Sequence, residues 1–370
     1  MRRWPVKLLA LGLILSGCGR KRDTIYEGYA FVATSDGPSL AVVDLAAFSV
    51  ARRIPLRVRP VEILSDPARR VVYVMGEGGP AGLTVIDAAK LEVRRAVWLA
   101  ERPLQIRLSA DGRRLYALDG RTRSLRSLDA ETLAHGPEIR LGKPPVDFEV
   151  SPDGRWACVS LATGEAAVVD LEKGAMVATS AVGREPAEVA VRFDARQAFV
   201  ANRADGTVSV LDLPSGKLVT HLALGARPSA MRFKPDGGEL FVSGGDGGMV
   251  TIISAYRDEV DQPLLTGSGP GEMAITADNR VMYVVNSAAN TVSVIDIDQR
   301  RTLAAVPVGE EPMRVALTSD NQFALVLNRR SGDLAVIRRR VVEDAREPIR
   351  PLFTLIPVGR DPVDLAVQAR

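Results

Sequence analysis

Apolar and polar positions alternate with a period of two over short stretches, and Gly, Asn, Asp or Pro interrupt each stretch. Met282-Tyr283-Val284-Val285-Asn286 and Thr291-Val292-Ser293-Val294-Ile295-Asp296 are typical. Such runs, rich in β-branched residues and bounded by turn formers, predict short half-buried strands. A turn ending in Pro, usually Gly-x-x-Pro, recurs at Pro60, Pro103, Pro145, Pro186, Pro228, Pro270, Pro312 and Pro362. The spacings are 43, 42, 41, 42, 42, 42 and 50 residues, so one insertion falls in the last interval. A fixed period of this length marks a repeat architecture.

Each repeat carries four strand signals. A short apolar segment follows the Pro, as in Ala187 to Phe193. An Asp-Gly or Asp-Asn turn comes next, at Asp111-Gly112, Asp153-Gly154, Asp236-Gly237, Asp278-Asn279 and Asp320-Asn321. Two further strands and their loops lead to a fourth strand, such as Leu303 to Val308. Short strands at even spacing predict antiparallel meanders. Four such strands cannot bury both faces alone, whereas radial stacking about an axis buries them against neighbours. The expected fold is therefore an all-β propeller of four-stranded antiparallel blades.

Tyr283-Val284-Val285-Asn286, Asn290 to Asp296 and Gly309-x-x-Pro312 resemble the YVTN-type propeller repeat, and Phe199-Val200-Ala201-Asn202 with Gly225-x-x-Pro228 repeats the pattern. The resemblance spans residues 28–370 and is looser before residue 150, where Val74-Met75-Gly76 and Ala117-Leu118-Asp119 replace the strand motif. Ser254 and Arg338 stand where the repeat has Asp, which leaves the local turn open at both places. The chain enters on a second strand (28–34) and ends on a first strand (363–367). The two ends therefore share one blade, for eight blades in all. Members of the resembled family more often have seven, which stands as the alternative.

The N-terminus changes the picture of where the protein works. Arg2, Arg3 and Lys7 precede an apolar run from Leu8 to Leu15 that is short for a membrane span. Leu15-Ser16-Gly17-Cys18 then resembles the lipobox of bacterial lipoproteins. That resemblance implies a signal peptide over residues 1–17, a lipidated Cys18 with a tether through residue 27, and a single domain over 28–370. Each buried acyl methylene contributes about 0.8 kcal/mol to membrane anchoring. Gly19 after the cysteine leans towards the outer membrane in that family, so the expected place is the cell envelope, at the periplasmic face of the outer membrane or the cell surface. Without residues 1–17 the chain has 45 Lys+Arg against 45 Asp+Glu, so no nucleic-acid footprint is expected. Cys158 is then the only cysteine left and reads as a small buried residue in an apolar strand.

Candidate chemistry concentrates on the first strand of each repeat. The third residue after the Pro is apolar throughout and reads as the packing position between blades. The second is Glu62, Gln105, Asp147, Glu188, Ala230, Glu272, Arg314 and Asp364, of which five are acidic. The fourth adds Arg107, Glu149 and Arg232 among smaller residues. By alternation these share one side of the strand and are expected at the channel mouth. Two uses are open: an acidic mouth that binds a cation or a basic side chain, or a solvated channel whose charges cross-pair. Arg314 with Glu272 and Arg232 with Glu188 are the pairs expected in the second case. Loops between second and third strands carry Arg121, Arg123, Arg203, Arg329 and Arg330, a candidate partner-binding face. The segment from Arg338 to Pro351 reads as a docking arm or a solvated extension of the last blade.

Other chemistry is thin. His135 is placed in a turn after a third strand and His221 in an outer strand, neither near the axis. There is no Cys-x-x-Cys-His for covalent haem, no His/Cys cluster for zinc or copper, and no Asp-x-Asp-x-Asp loop for calcium. No metal and no cofactor are expected. The leading expectation is a non-catalytic scaffold for an envelope protein partner, similar in architecture to the eight-bladed propeller lipoprotein of the outer-membrane β-barrel assembly machinery. That class has a Trp-containing repeat that this chain lacks. The alternative is a channel-sited enzyme resembling lactone hydrolases, or a cofactor-binding propeller resembling the haem d1 domains of nitrite reductases.

Overall fold

A computed structural model of the chain describes residues 26–78, 82–339 and 351–370. The signal segment, Cys18, most of the tether and residues 340–350 of the inserted segment lie outside the described residues. Strands β1 to β32, numbered in chain order, form eight four-stranded antiparallel sheets. The count is eight, and the seven-blade alternative falls.

Ring closure follows the predicted permutation. β32 (Pro362–Ala369) pairs antiparallel with β1 (Gly28–Thr34), so blade 1 holds both ends of the chain. Blades 2 to 8 each start at a Pro-led innermost strand: β4 (Arg59–Asp66), β8 (Pro103–Leu108), β12 (Pro145–Val150), β16 (Pro186–Val191), β20 (Pro228–Phe233), β24 (Pro270–Ile275) and β28 (Pro312–Leu317). The inserted segment separates β30 (Asp333–Arg338) from β31 (Leu352–Pro357) in blade 8.

The hydrophobic core is divided among the joints between blades. Each of eight buried clusters draws its residues from two neighbouring blades. One of them joins blade 8 to blade 1 through Leu325, Leu327, Leu334, Ala30, Val32 and Val43. No blade has a core of its own, so stability depends on the closed ring. The third residue after each Pro is buried in every blade, from Ile63 to Leu365. Cys158 is buried and unbonded in the joint between blades 4 and 5, where burial pushes its thiol up to about 12.

The co-occurrence of Gly-x-x-Pro and the strand-end Asn has a steric cause. Asn202 accepts the Gly183 N–H at 3.0 Å and donates to Thr207 and Ser209, tying the inter-blade loop to its blade. A Cβ on Gly183 would sit 2.6 Å from the Asn202 side chain, and Gly267 and Gly309 lie equally close to Asn286 and Asn328. Asp119 does the same work in blade 3 by accepting the Glu101 and Arg102 N–H groups. The turn after each innermost strand is closed by a hydroxyl: Ser109, Ser151, Thr276 and Thr318 each bond the Asp two residues on.

Two local expectations are corrected or settled. His135 is the first residue of β11 (His135–Arg140), an outer strand, and not a turn residue. Ser254 keeps the turn that Asp makes elsewhere, because the Asp258 N–H reaches its carbonyl at 3.0 Å. That bond uses backbone alone and is indifferent to the side chain.

Truncation before Pro362 removes the closing strand and leaves the β1 edge unpaired. It is expected to abolish the cooperative thermal transition, whereas Phe148→Ala should lower stability by about 3–5 kcal/mol and keep the transition cooperative. Circular-dichroism melts of both variants check this. A truncated chain that melts like the parent would show that closure does not hold the ring.

Candidate functional site

The innermost strand of a blade has one paired edge and one free edge. Its free N–H groups face the axis, where no sheet partner exists. Unpaired backbone donors in a confined space are costly. In every blade the register shifts between the Pro and the residues just after it, a β-bulge. Bulges re-aim the side chain that follows. Here that side chain is the second residue after the Pro, the position singled out in the sequence.

Its task is to bond the next blade. Asp364 accepts the Ile63 N–H at 2.7 Å, Glu62 the Ile106 N–H at 2.8 Å and Gln105 the Phe148 N–H at 3.1 Å. Asp147 accepts from Val189 at 2.7 Å and Glu188 from Met231 at 2.8 Å. Five consecutive joints, from blade 1 to blade 6, are thus latched by one acceptor each. Gln105 shows that the latch needs an acceptor and not a charge.

The remaining polar groups cross-pair, as one of the two sequence readings expected. Arg107 bridges Glu62 at 2.9 Å and Glu149 at 3.2 Å, with Asp147 at 3.9 Å. Arg314 lies 3.3 Å from Glu272 and 3.3 Å from Asp364. Arg232 pairs with Glu272 at 2.5 Å and not with Glu188 as expected. The Glu188 carboxyl is turned to the Met231 amide, while Arg232 reaches forward to the following blade. All these groups line one axial cavity of about 1170 Å³.

Confinement perturbs the carboxyls. Burial pushes Glu62 up to about 7, against the pull of Arg107 and with help from the Asp364 charge. Burial and then the Glu272 charge push Glu188 up to about 8, Arg232 opposing. Asp147, Glu149 and Asp364 are raised too, in each case by burial first. Among the described residues no group of three or more His, Cys, Asp or Glu is arranged to hold a metal ion.

The loop arginines divide. Arg203 and Arg329 line the channel cavity with the ring residues. Arg121, Arg123 and Arg330 lie outside it. Arg121 pairs with Glu101 at 2.5 Å, Arg329 with Asp361 at 2.5 Å and Arg330 with Glu310 at 3.4 Å, all exposed. Arg123 bonds only the Gly142 carbonyl, at 3.4 Å. His221 is tied to Ser209 at 2.9 Å and His135 lies against Trp98, both on outer strands.

Solved structures share this fold. A dihydro-heme d1 dehydrogenase, NirN, in complex with DHE is 18% identical with a TM-score of 0.72, over 94% of this chain and 76% of its own. The hydrazine synthase of Kuenenia stuttgartiensis is 21% identical with a TM-score of 0.59, over 76% of this chain and 96% of its own. A functionally unknown protein from Desulfotomaculum acetoxidans is 14% identical with a TM-score of 0.60, over 83% and 98%. The chain is a β-propeller. No family profile and no curated protein sequence matches it. At these identities the likeness concerns the fold alone.

Glu188 is faced by Arg232, Met231, Glu272 and Asp147. Its folded-state pKa lies above the unfolded value, so its contribution to stability is full below pH 4.5 and is lost as pH rises through about 8. Glu188→Gln keeps an acceptor for Met231 and removes the titration. The variant should match the parent near pH 5, melt higher than it at pH 9, and show a flatter profile. A parent profile unchanged by the substitution would contradict the shift.

Proposed function

We propose that the protein is a lipid-anchored cell-envelope scaffold, a non-catalytic propeller that binds a protein partner through its arginine-bearing loop face. One observation carries the reading: the axial polar groups are occupied by the fold itself. A carboxyl that accepts a neighbouring blade's amide, or is pinned between two arginines, is not free to act as a general base or to hold a metal. The loop face differs. Arg121, Arg123, Arg203, Arg329 and Arg330 are all exposed there on rigid β-turn scaffolding. Exposed arginines on rigid loops suit a partner with acidic surface groups. The lipobox-like Leu15-Ser16-Gly17-Cys18 supplies the anchor in this reading, at the periplasmic face of the outer membrane or the cell surface.

The NirN structure, a complex with DHE, favours a second reading in which a cofactor sits at the mouth of the channel. The absorption spectrum of protein purified from its own host separates the two, since a bound chromophore would be visible in stoichiometric amount.

Crosslinking in intact cells tests the scaffold. The parent should capture one predominant envelope protein, and Arg203→Glu with Arg329→Glu and Arg330→Glu should cut the yield about tenfold, the equivalent of about 1.4 kcal/mol. Undiminished capture would remove that face from the account. Cys18→Ser should move the protein from the membrane to the soluble fraction, and a variant that stays membrane-bound would remove the anchor.

A further inference from the structure

The latch ring is broken on one side of the axis. Blade 6 has Ala230 where an acceptor should face blade 7. Blade 7 has Glu272, whose carboxylate is drawn to Arg232 and Arg314. Blade 8 has Arg314, a donor in an acceptor's place. The pairing register there is the same as in the latched blades. Met273 stands opposite Val284 as Ile63 stands opposite Val74, fourteen residues after the Pro in both. The Met273 N–H therefore faces the axis like the Ile63 N–H. Among the described residues, however, no side chain accepts it, and none accepts the Val315 N–H.

Other donors surround the same gap. Arg232 lies two residues beyond Ala230 on the same side of β20 and is half-exposed in the channel. Arg314 Nε is buried and has no hydrogen-bond partner, although Asp364 Oδ1 is 3.3 Å away. Arg203 lines the cavity and makes no ion pair among the described residues. Donors outnumber acceptors on this side, whereas acceptors are plentiful on the other. Glu188, the nearest carboxyl on that other side, is hydrogen-bonded to Met231 and carries no arginine partner.

We propose that the space beside Ala230 is a binding site for a carboxylate that enters through the channel. One carboxylate oxygen takes the Met273 N–H, as Asp147 and Glu188 take theirs, and the second faces the Arg232 guanidinium. Charge-assisted bonds of this kind are about twice as strong as neutral ones. The ligand thereby supplies the latch that blade 6 lacks and tightens the joint between blades 6 and 7. This site is deeper than the loop face of the preceding proposal and stands independently of it. The carboxylate comes either from a small organic acid or from an acidic side chain inserted by a partner.

Calorimetric titration of the full chain with acetate, with acetamide as the neutral isostere, tests the site. Acetate should bind saturably and acetamide should not. Ala230→Asp installs the missing acceptor and should weaken acetate at least about tenfold. A capped tripeptide with a central Asp distinguishes the sources: tighter binding than acetate assigns the site to a side chain, and no binding assigns it to a small acid. Should Ala230→Asp fail to fold, amide exchange in the parent decides, because acetate must slow exchange at Met273. Absence of saturable binding by both acetate and the peptide, binding that Ala230→Asp does not weaken, or unchanged exchange at Met273 overturns the proposal.

Discussion

The free edge of the innermost strand is the constraint on which this molecule depends. A propeller disposes of most sheet edges by stacking blades and closing the ring. It cannot pair the inner edges, because eight strands converge on one axis without room for partners. Their N–H groups must be met by side chains or by water. Here a bulge after each Pro turns one side chain towards the next blade, and in five consecutive joints that side chain accepts the waiting N–H.

This accounts for an otherwise costly arrangement. Several carboxyls lie close together around a confined channel, and burial raises the pKa of most of them. Their mutual repulsion is relieved in three ways: amide donors, three arginines placed two residues along or in the ring itself, and proton uptake by Glu62 and Glu188 near neutrality. The acidic ring is thus first a fastening. Binding is left to places where the fastening is absent, the loop face and the unlatched side of the axis.

Much of the fold was legible in the sequence, because its causes are local. The Pro spacing set the blade count, and the order of strand signals at the two ends set the closure. The ring at the second position was also legible as a polar set. Its task was not, since a latch joins residues about forty positions apart and depends on which lone pair meets which N–H. Arg232 shows the limit most plainly. Its spacing suits Glu188 and Glu272 alike, and only the Met231 amide, by claiming Glu188, decides between them. The roles of Ser109, Ser151, Thr276 and Thr318 were within reach, since each stands two residues before an Asp at the turn. The unlatched gap at Ala230 had the weakest signal of all, a small residue in a polar column.

Residue-resolved amide hydrogen exchange on the native protein tests the latch account most directly. Slow exchange is expected at Ile63, Ile106, Phe148, Val189 and Met231, and markedly faster exchange at Met273 and Val315, although all seven occupy the same position in their blades. Uniform protection across the seven would contradict it, because the inner edge would then be satisfied without the side chains assigned to it.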